Sequence, residues 1–328
     1  MTTAGSPGPQ PEPRAAAGPA AGDTTGADAV PMAARGRLAS VAAGRARSSL
    51  ESVAGGVGLD LAGFDYLTEV MGCVVVHLGW SWYSCGAYGF GAGGFGSLQS
   101  AYANGPTLVT GRDNGGFAPY GKAVRDAWDT SLERLLREAA DVGADGVIGI
   151  RATRRRVPGS VSDDEFVLLG TAVRSRGSVR PRRPFATDLG GDRFAVLLRS
   201  GWVPSGYAIL VTLGVRHDDW QTMQASTMWA GNQEVPGYTQ LVNETRNGAR
   251  DQLTRRLRQL GGDAAIASDM AMRVWEVEPG ENHRDHVCEV TISGTALAAF
   301  DRTAHPPGPR PLTVMPLTDS TRLSGRPR

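Results

Sequence analysis

Cysteine is scarce in this chain. Only Cys73, Cys85 and Cys288 are present. An odd number at these spacings excludes both a disulfide framework and a CxxC metal knuckle. It points to a reducing, cytoplasmic setting. Long apolar runs are missing too. Nothing approaches the roughly 20 apolar residues a membrane helix needs, so no membrane partner is expected. The N-terminus lacks the continuous apolar segment of a secretory signal. Charge of one sign is also lacking: 34 Lys and Arg face 33 Asp and Glu, for a formal net charge of +1. That balance offers no global field for nucleic acid or an anionic membrane.

Glycine and proline are plentiful, at 44 and 20 residues, and imply many loops. Residues 1–47 hold almost no large apolar side chains and cannot bury enough surface to offset their ordering entropy. This segment is expected to be disordered, as is the tail at 301–328, which contains HPPGPRP. A basic linker is expected at 177–186, inside RSRGSVRPRRP (174–184).

The two blocks between these segments repeat one another. Tyr120, Val124, Gly143, Asp145 and Ile148 align with Tyr238, Val242, Gly261, Asp263 and Ile266 at an offset of 118 residues. EFVLLGTAV from Glu165 then meets EVTISGTAL from Glu289 at an offset of 124. A unit of roughly 110 residues suits a small domain rather than a solenoid turn.

Each unit opens with an apolar strand, EVMGCVVVHL (69–78) or YAILVTLGVR (207–216). A helix follows, its apolar residues at helical spacing from Val124 to Ala139 and from Leu241 to Leu260. Gly143 and Gly261 stand where a left-handed residue ends a helix. Two strands then flank a Pro-Gly turn: 146–157 with 165–175, and 264–277 with 286–300. Strand, helix, strand, strand predicts an α+β fold, each unit an antiparallel sheet with one long helix. The units are placed at 48–176, with a Gly/aromatic-rich insertion at 81–117, and at 187–300. The first strands are apolar on both faces. The face away from the helix needs a cover, from the second unit or from another subunit.

GADGVIGIR (143–151) behind an amphipathic helix, and GTAV (170–173) closing a strand, resemble the heavy-metal-binding YbjQ-like domain family. VVVHLG (74–79) looks like the family's first strand, and GGDAAIAS (261–268) with GTAL (294–297) repeat the pattern more loosely. GWVPSGYAILVTLGVRHDDW (201–220) is similar to the tandem two-domain form found in actinobacteria. The resemblance spans roughly 60–300. It implies dodecin-like units that assemble into rings, and a heavy-metal ligand. It supplies no catalytic residues.

ENHRDHVCE (281–289) offers a metal-ligand trio in His283, His286 and Cys288, with Glu281 nearby. His286 and Cys288 share one strand face, and such a set could hold a transition-metal ion such as zinc. The first unit has Ser162 and Asp164 at the matching positions, which favours a polar hairpin tip with a small buried thiol. A second candidate set is His77 with Cys73 in the first unit and His217 in the second. Symmetric copies of these could converge in an assembly. Otherwise each His hydrogen-bonds at a strand end.

SWYSCGAYGFGAGGFGS (81–97) contains a formal G-x-G-x-x-G at 91–96. Without a βαβ context it does not indicate dinucleotide binding. It reads as a loop over a ligand pocket or a subunit contact. RATRRR (151–156) reads as a solvated strand end, and basic side chains there could touch phosphate without base specificity. Asp145, Asp263, Glu165 and Glu289 recur in both units and read as structural. The expectation is a non-enzymatic, self-associating binding or assembly protein. The alternatives are an enzyme with a pocket under 81–117 and His77 as acid/base, or weak nucleic-acid contact through the Arg segments.

Overall fold

The computed structural model describes residues 35–36, 39–40, 43, 49–79, 108–110, 117–218, 220–227, 231–280 and 283–301. Most of the expected terminal segments and of the 81–117 insertion, its G-x-G-x-x-G included, lie outside the described residues.

The chain runs α1 (Val53–Leu61), β1 (Phe64–His77), β2 (Leu108–Thr110), α2 (Ala118–Asp141), β3 (Gly146–Arg156), β4 (Asp163–Ser175) and β5 (Phe185–Ala186). It continues through α3 (Gly191–Arg199), β6 (Trp202–His217), α4 (Trp220–Ala225), α5 (Pro236–Gln259), β7 (Ala264–Gly280) and β8 (His283–Ala299). The strands form two four-stranded sheets, β1-β4-β3-β5 and β2-β6-β8-β7. Each repeat supplies three antiparallel strands and one long helix, as the sequence pattern predicts.

Two short strands were not expected. β2 comes from the end of the insertion and pairs antiparallel with β6 of the second sheet. β5 comes from the end of the basic linker and pairs parallel with β3 of the first. Three short helices, α1, α3 and α4, also escaped the pattern. α1 begins at Ser52, whose side chain accepts from Gly55 N at 3.0 Å. α3 is met at its N-terminus by Glu51, which accepts from Gly191 N at 2.7 Å.

The repeat is visible in hydrogen bonds. Asp145 N donates to Val173 O at 2.8 Å, and Asp263 N donates to Leu297 O at the same distance. Asp145 Oδ2 accepts from Ser175 N at 2.8 Å, as Asp263 Oδ2 accepts from Ala299 N at 3.1 Å. These recurrent Asp residues tie the end of the long helix to the last strand. Each follows a glycine in the left-handed region, Gly143 at φ 71° and Gly261 at φ 79°.

The two sheets differ in what covers them. On β6, Tyr207, Ile209, Val211, Leu213 and Val215 are buried in one core with α2 of the first unit. Ala208 and Gly214 face the other way, toward α5, and a Cβ on Gly214 would sit 2.0 Å from Thr245 Oγ1. The second sheet thus lies between the helices of both units. Among the described residues, the matching face of the first sheet is covered only at one end. There α1 and α3 pack Leu59 and Phe194 over Ile148 and Val173. Along the rest of β1, Met71 and Cys73 are half-buried and Val75 is 56% exposed.

Candidate functional site

Three polar clusters occupy the surfaces this arrangement creates. The first is a stripe on the open face of the first sheet. His77 lies opposite Asp163, and Val75 opposite Glu165, in the β1–β4 ladder. His77 Nδ1 is 2.7 Å from Asp163 Oδ1, and Cys73 Sγ donates to Glu165 Oε1 at 3.6 Å. The hydrogen bond from His77 holds the Asp163 carboxyl below its usual range. Burial, and then the Glu165 charge, push the Cys73 thiol up, so it is protonated at neutral pH.

The second cluster closes the far end of the second unit. His217 Nδ1 lies 2.7 Å from Asp285 Oδ1. His286 is almost fully buried between two carboxylates, with Nδ1 2.9 Å from Asp218 and Nε2 2.9 Å from Glu276. Burial alone would lower its pKa, but the bonds to Asp218 and then Glu276 outweigh it and the pKa is raised. With both nitrogens facing carboxylates, the ring suits the imidazolium form. Tyr238 stacks on it at 4.2 Å. Burial and the Asp218 charge push the Tyr238 hydroxyl up to about 12.

The third cluster sits on the seam between units. Arg154 Nε donates to Asp164 at 2.7 Å, Arg154 Nη1 to Glu289 at 2.6 Å, and Arg154 Nη2 to the Tyr120 hydroxyl at 2.9 Å. Tyr120 in turn donates to Glu289 Oε2 at 2.5 Å. Arg156 reaches the other oxygen of Asp164 at 2.8 Å. The side chains of Asp164 and Glu289 are each 2% exposed. RATRRR is therefore not a uniformly solvated strand end. Arg154 turns inward beside Phe166 and holds the two units together, while its neighbour Arg155 is exposed.

His286 and Cys288 do lie on one face of β8. Cys288, however, is packed in the core beneath α5, where burial raises its pKa. His283 pairs with Gly280 at the hairpin tip; its side chain and Glu281 lie outside the described residues. His77 and His217 each meet a cross-strand aspartate at the end of their unit's first strand. The glycine-rich loop of the enzyme alternative lies outside the described residues. Among the described residues, no three His, Cys, Asp or Glu side chains are grouped so as to hold a metal ion. The described residues of a single chain therefore present ligand pairs, too few for a closed four-coordinate site.

The seam cluster escaped the sequence reading. Its one signal was the recurrence of Glu289 and Tyr120 at repeat-equivalent positions. Their meeting with Arg154 depends on how the units stack.

A tandem pair of strand-helix-strand-strand units, with paired thiol, imidazole and carboxylate groups on an open sheet, defines the class. Residues 106–176 match the YbjQ_1 family, described as "Putative heavy-metal-binding". A UPF0145 protein of Archaeoglobus fulgidus is 33% identical over 85 residues, 25% of this chain and 77% of that protein. One from Halorubrum lacusprofundi is 40% identical over 57 residues, 17% of this chain and 53% of that protein. The chain belongs to this YbjQ-like family. An Encapsulin nanocompartment protein of Mycobacterium tuberculosis is 29% identical over 183 residues, which is 53% of this chain and 65% of that relative's length. The family's description names binding rather than a reaction. No described helix is long and apolar enough to cross a membrane.

Proposed function

We propose that the chain is a non-enzymatic assembly module whose open first-sheet face docks on a further copy. The carrying observation is the difference between equivalent sheet faces. Tyr207, Ile209, Val211, Leu213 and Val215 are buried by the neighbouring unit, whereas Val75, on the corresponding face of β1, is 56% exposed. A relative named for an encapsulin nanocompartment supports self-association. The free thiols of Cys73 and Cys288 suit a reducing cytoplasm.

The Cys73–Glu165 and His77–Asp163 pairs flank Val75 on that face. Two copies brought together there would bring four such pairs to one seam, enough donors for a zinc-like ion. His217 and His286 lie at the far end of the second unit, off that face, and would contribute to structure rather than to the ion.

Light scattering of the full chain without an affinity tag tests the reading. The expected mass is a multiple of 34.5 kDa, falling to one chain in Val75→Glu. A wild type that stays monomeric at tens of micromolar would remove the proposal. Elemental analysis tests the ion separately: a Cys73→Ser/His77→Ala chain should assemble but lose bound metal.

A further inference from the structure

A cleft of about 220 Å³ runs between the two sheets. One wall is the β3–β4 hairpin, with Arg154, Arg156 and Asp164. The other is the β7–β8 hairpin, with Arg273 and Glu289, and Trp128 of α2 also lines the cleft. It lies within one chain and is separate from the open face discussed above.

Its charges do not cancel. Asp164 is hydrogen-bonded through Oδ2 to Arg154 at 2.7 Å and ion-paired through Oδ1 to Arg156 at 2.8 Å. Glu289 uses Oε1 for Arg154 and Oε2 for Tyr120. Three of these four oxygens accept a hydrogen bond; among the described residues the buried Asp164 Oδ1 meets Arg156 as an ion pair only. Arg273 comes no nearer than 3.6 Å to Asp164, an attraction without a hydrogen bond. Arg155 and Asp269 also line the cleft and add one charge of each sign. The cleft thus carries one positive charge in excess, and among the described residues the planar fork of Arg273 makes no hydrogen bond.

A second observation points the same way. Trp128 is 3% exposed, and among the described residues its Nε1 is a buried donor with no hydrogen-bond partner. Such a donor is costly to leave unmet. Trp128 lines this cleft, so a buried donor with no partner lies close to a guanidinium that makes no hydrogen bond among the described residues.

We propose that this cleft binds a small oxyanion, with Arg273 as the charged fork and the Trp128 indole N–H as a second donor. The volume falls below the roughly 300–1,000 Å³ of sites for drug-sized ligands. That suits inorganic phosphate or a short dicarboxylate. Because the walls belong to different units, the anion would tighten their packing, and binding to the folded state raises the melting temperature.

The test uses the full chain at constant ionic strength set with potassium chloride. Calorimetry and thermal melts are run with inorganic phosphate in one arm and malonate in the other. A saturable heat near one anion per chain, with a rising melting temperature, is expected in at least one arm. Phosphate alone would assign a tetrahedral ligand, and malonate alone a carboxylate. Arg273→Gln should weaken binding by about tenfold or more, and Arg273→Lys by less, because it keeps the charge without the fork. Trp128→Phe should also weaken it. If neither arm gives more than chloride does, or if Arg273→Gln and Trp128→Phe both retain wild-type affinity, the proposal is overturned.

Discussion

At the residue scale, His286 is the group whose chemistry is most constrained. Its ring is nearly enclosed, faces Asp218 and Glu276 through both nitrogens, and carries Tyr238 on its face. The folded-state pKa lies above the ordinary 6.5. The charged form therefore contributes stability that is complete below about 6.5 and is lost as the pH climbs through the raised value. Thermal melts across neutral to alkaline pH should show the wild type losing stability in that window. His286→Gln should lack that component; an unchanged pH slope would contradict the assignment. At mildly acidic pH, His286→Ala leaves the buried Asp218 with the Tyr238 hydroxyl but without its cationic partner, and should cost about 3 kcal/mol in urea unfolding.

Arg154 is the counterpart at the seam. It bonds at once to Asp164, Glu289 and Tyr120, and its side chain is 10% exposed. Removing it leaves carboxylates of both units buried against an incomplete set of cations. Arg154→Met should therefore destabilise by about 3–5 kcal/mol. The double variant Arg154→Met/Glu289→Leu should recover part of that loss, because one stranded charge goes with its partner. A double variant as unstable as the sum of the single ones would mean that the Arg154–Glu289 contact carries no coupling.

At the scale of elements, helix and sheet pack closely where glycine allows it. A Cβ on Gly72 of β1 would lie 1.8 Å from Ser131 O of α2, inside any possible contact. Gly72→Ala must push the helix off its sheet and should cost about 1–3 kcal/mol or more, read as a lower urea midpoint. The long helices and six main strands were legible because period 3.6 and period 2 patterns repeat at matched offsets. β2 and β5 were not, because two or three residues carry no period and their pairing partners are distant in sequence. α1 was missed because VAGGVGLDL is rich in glycine, a poor helix former; its docking against α3 is what holds it. The candidate site was half legible. Strand parity placed Cys73 and His77 on one face and His286 with Cys288 on another. Parity could not say which face a neighbouring unit buries, so it could not tell that Cys288 is core and Arg154 is seam.

At the scale of the whole molecule, the two units repeat one another in fold but not in exposure. The face of β6 that carries Tyr207, Ile209, Val211, Leu213 and Val215 is buried in a core it shares with α2 of the first unit. Burying such side chains is worth about 1.5–3 kcal/mol each, so the second unit depends on its neighbour for a large part of its stability. The corresponding stretch of β1 carries Glu69, Met71, Cys73, Val75 and His77, a set that water tolerates better. Expressed separately, the 187–301 unit should aggregate and bind a hydrophobic dye, whereas the 48–176 unit should remain soluble by comparison. Adding the purified first unit to freshly refolded second unit should suppress the dye signal. Arg154→Met in the added unit should weaken that rescue, because the seam ion pairs fix how the two faces meet. A second unit that is monomeric, cooperatively folded and dye-silent on its own would show that its sheet needs no cover, and the argument from unequal faces would fail with it.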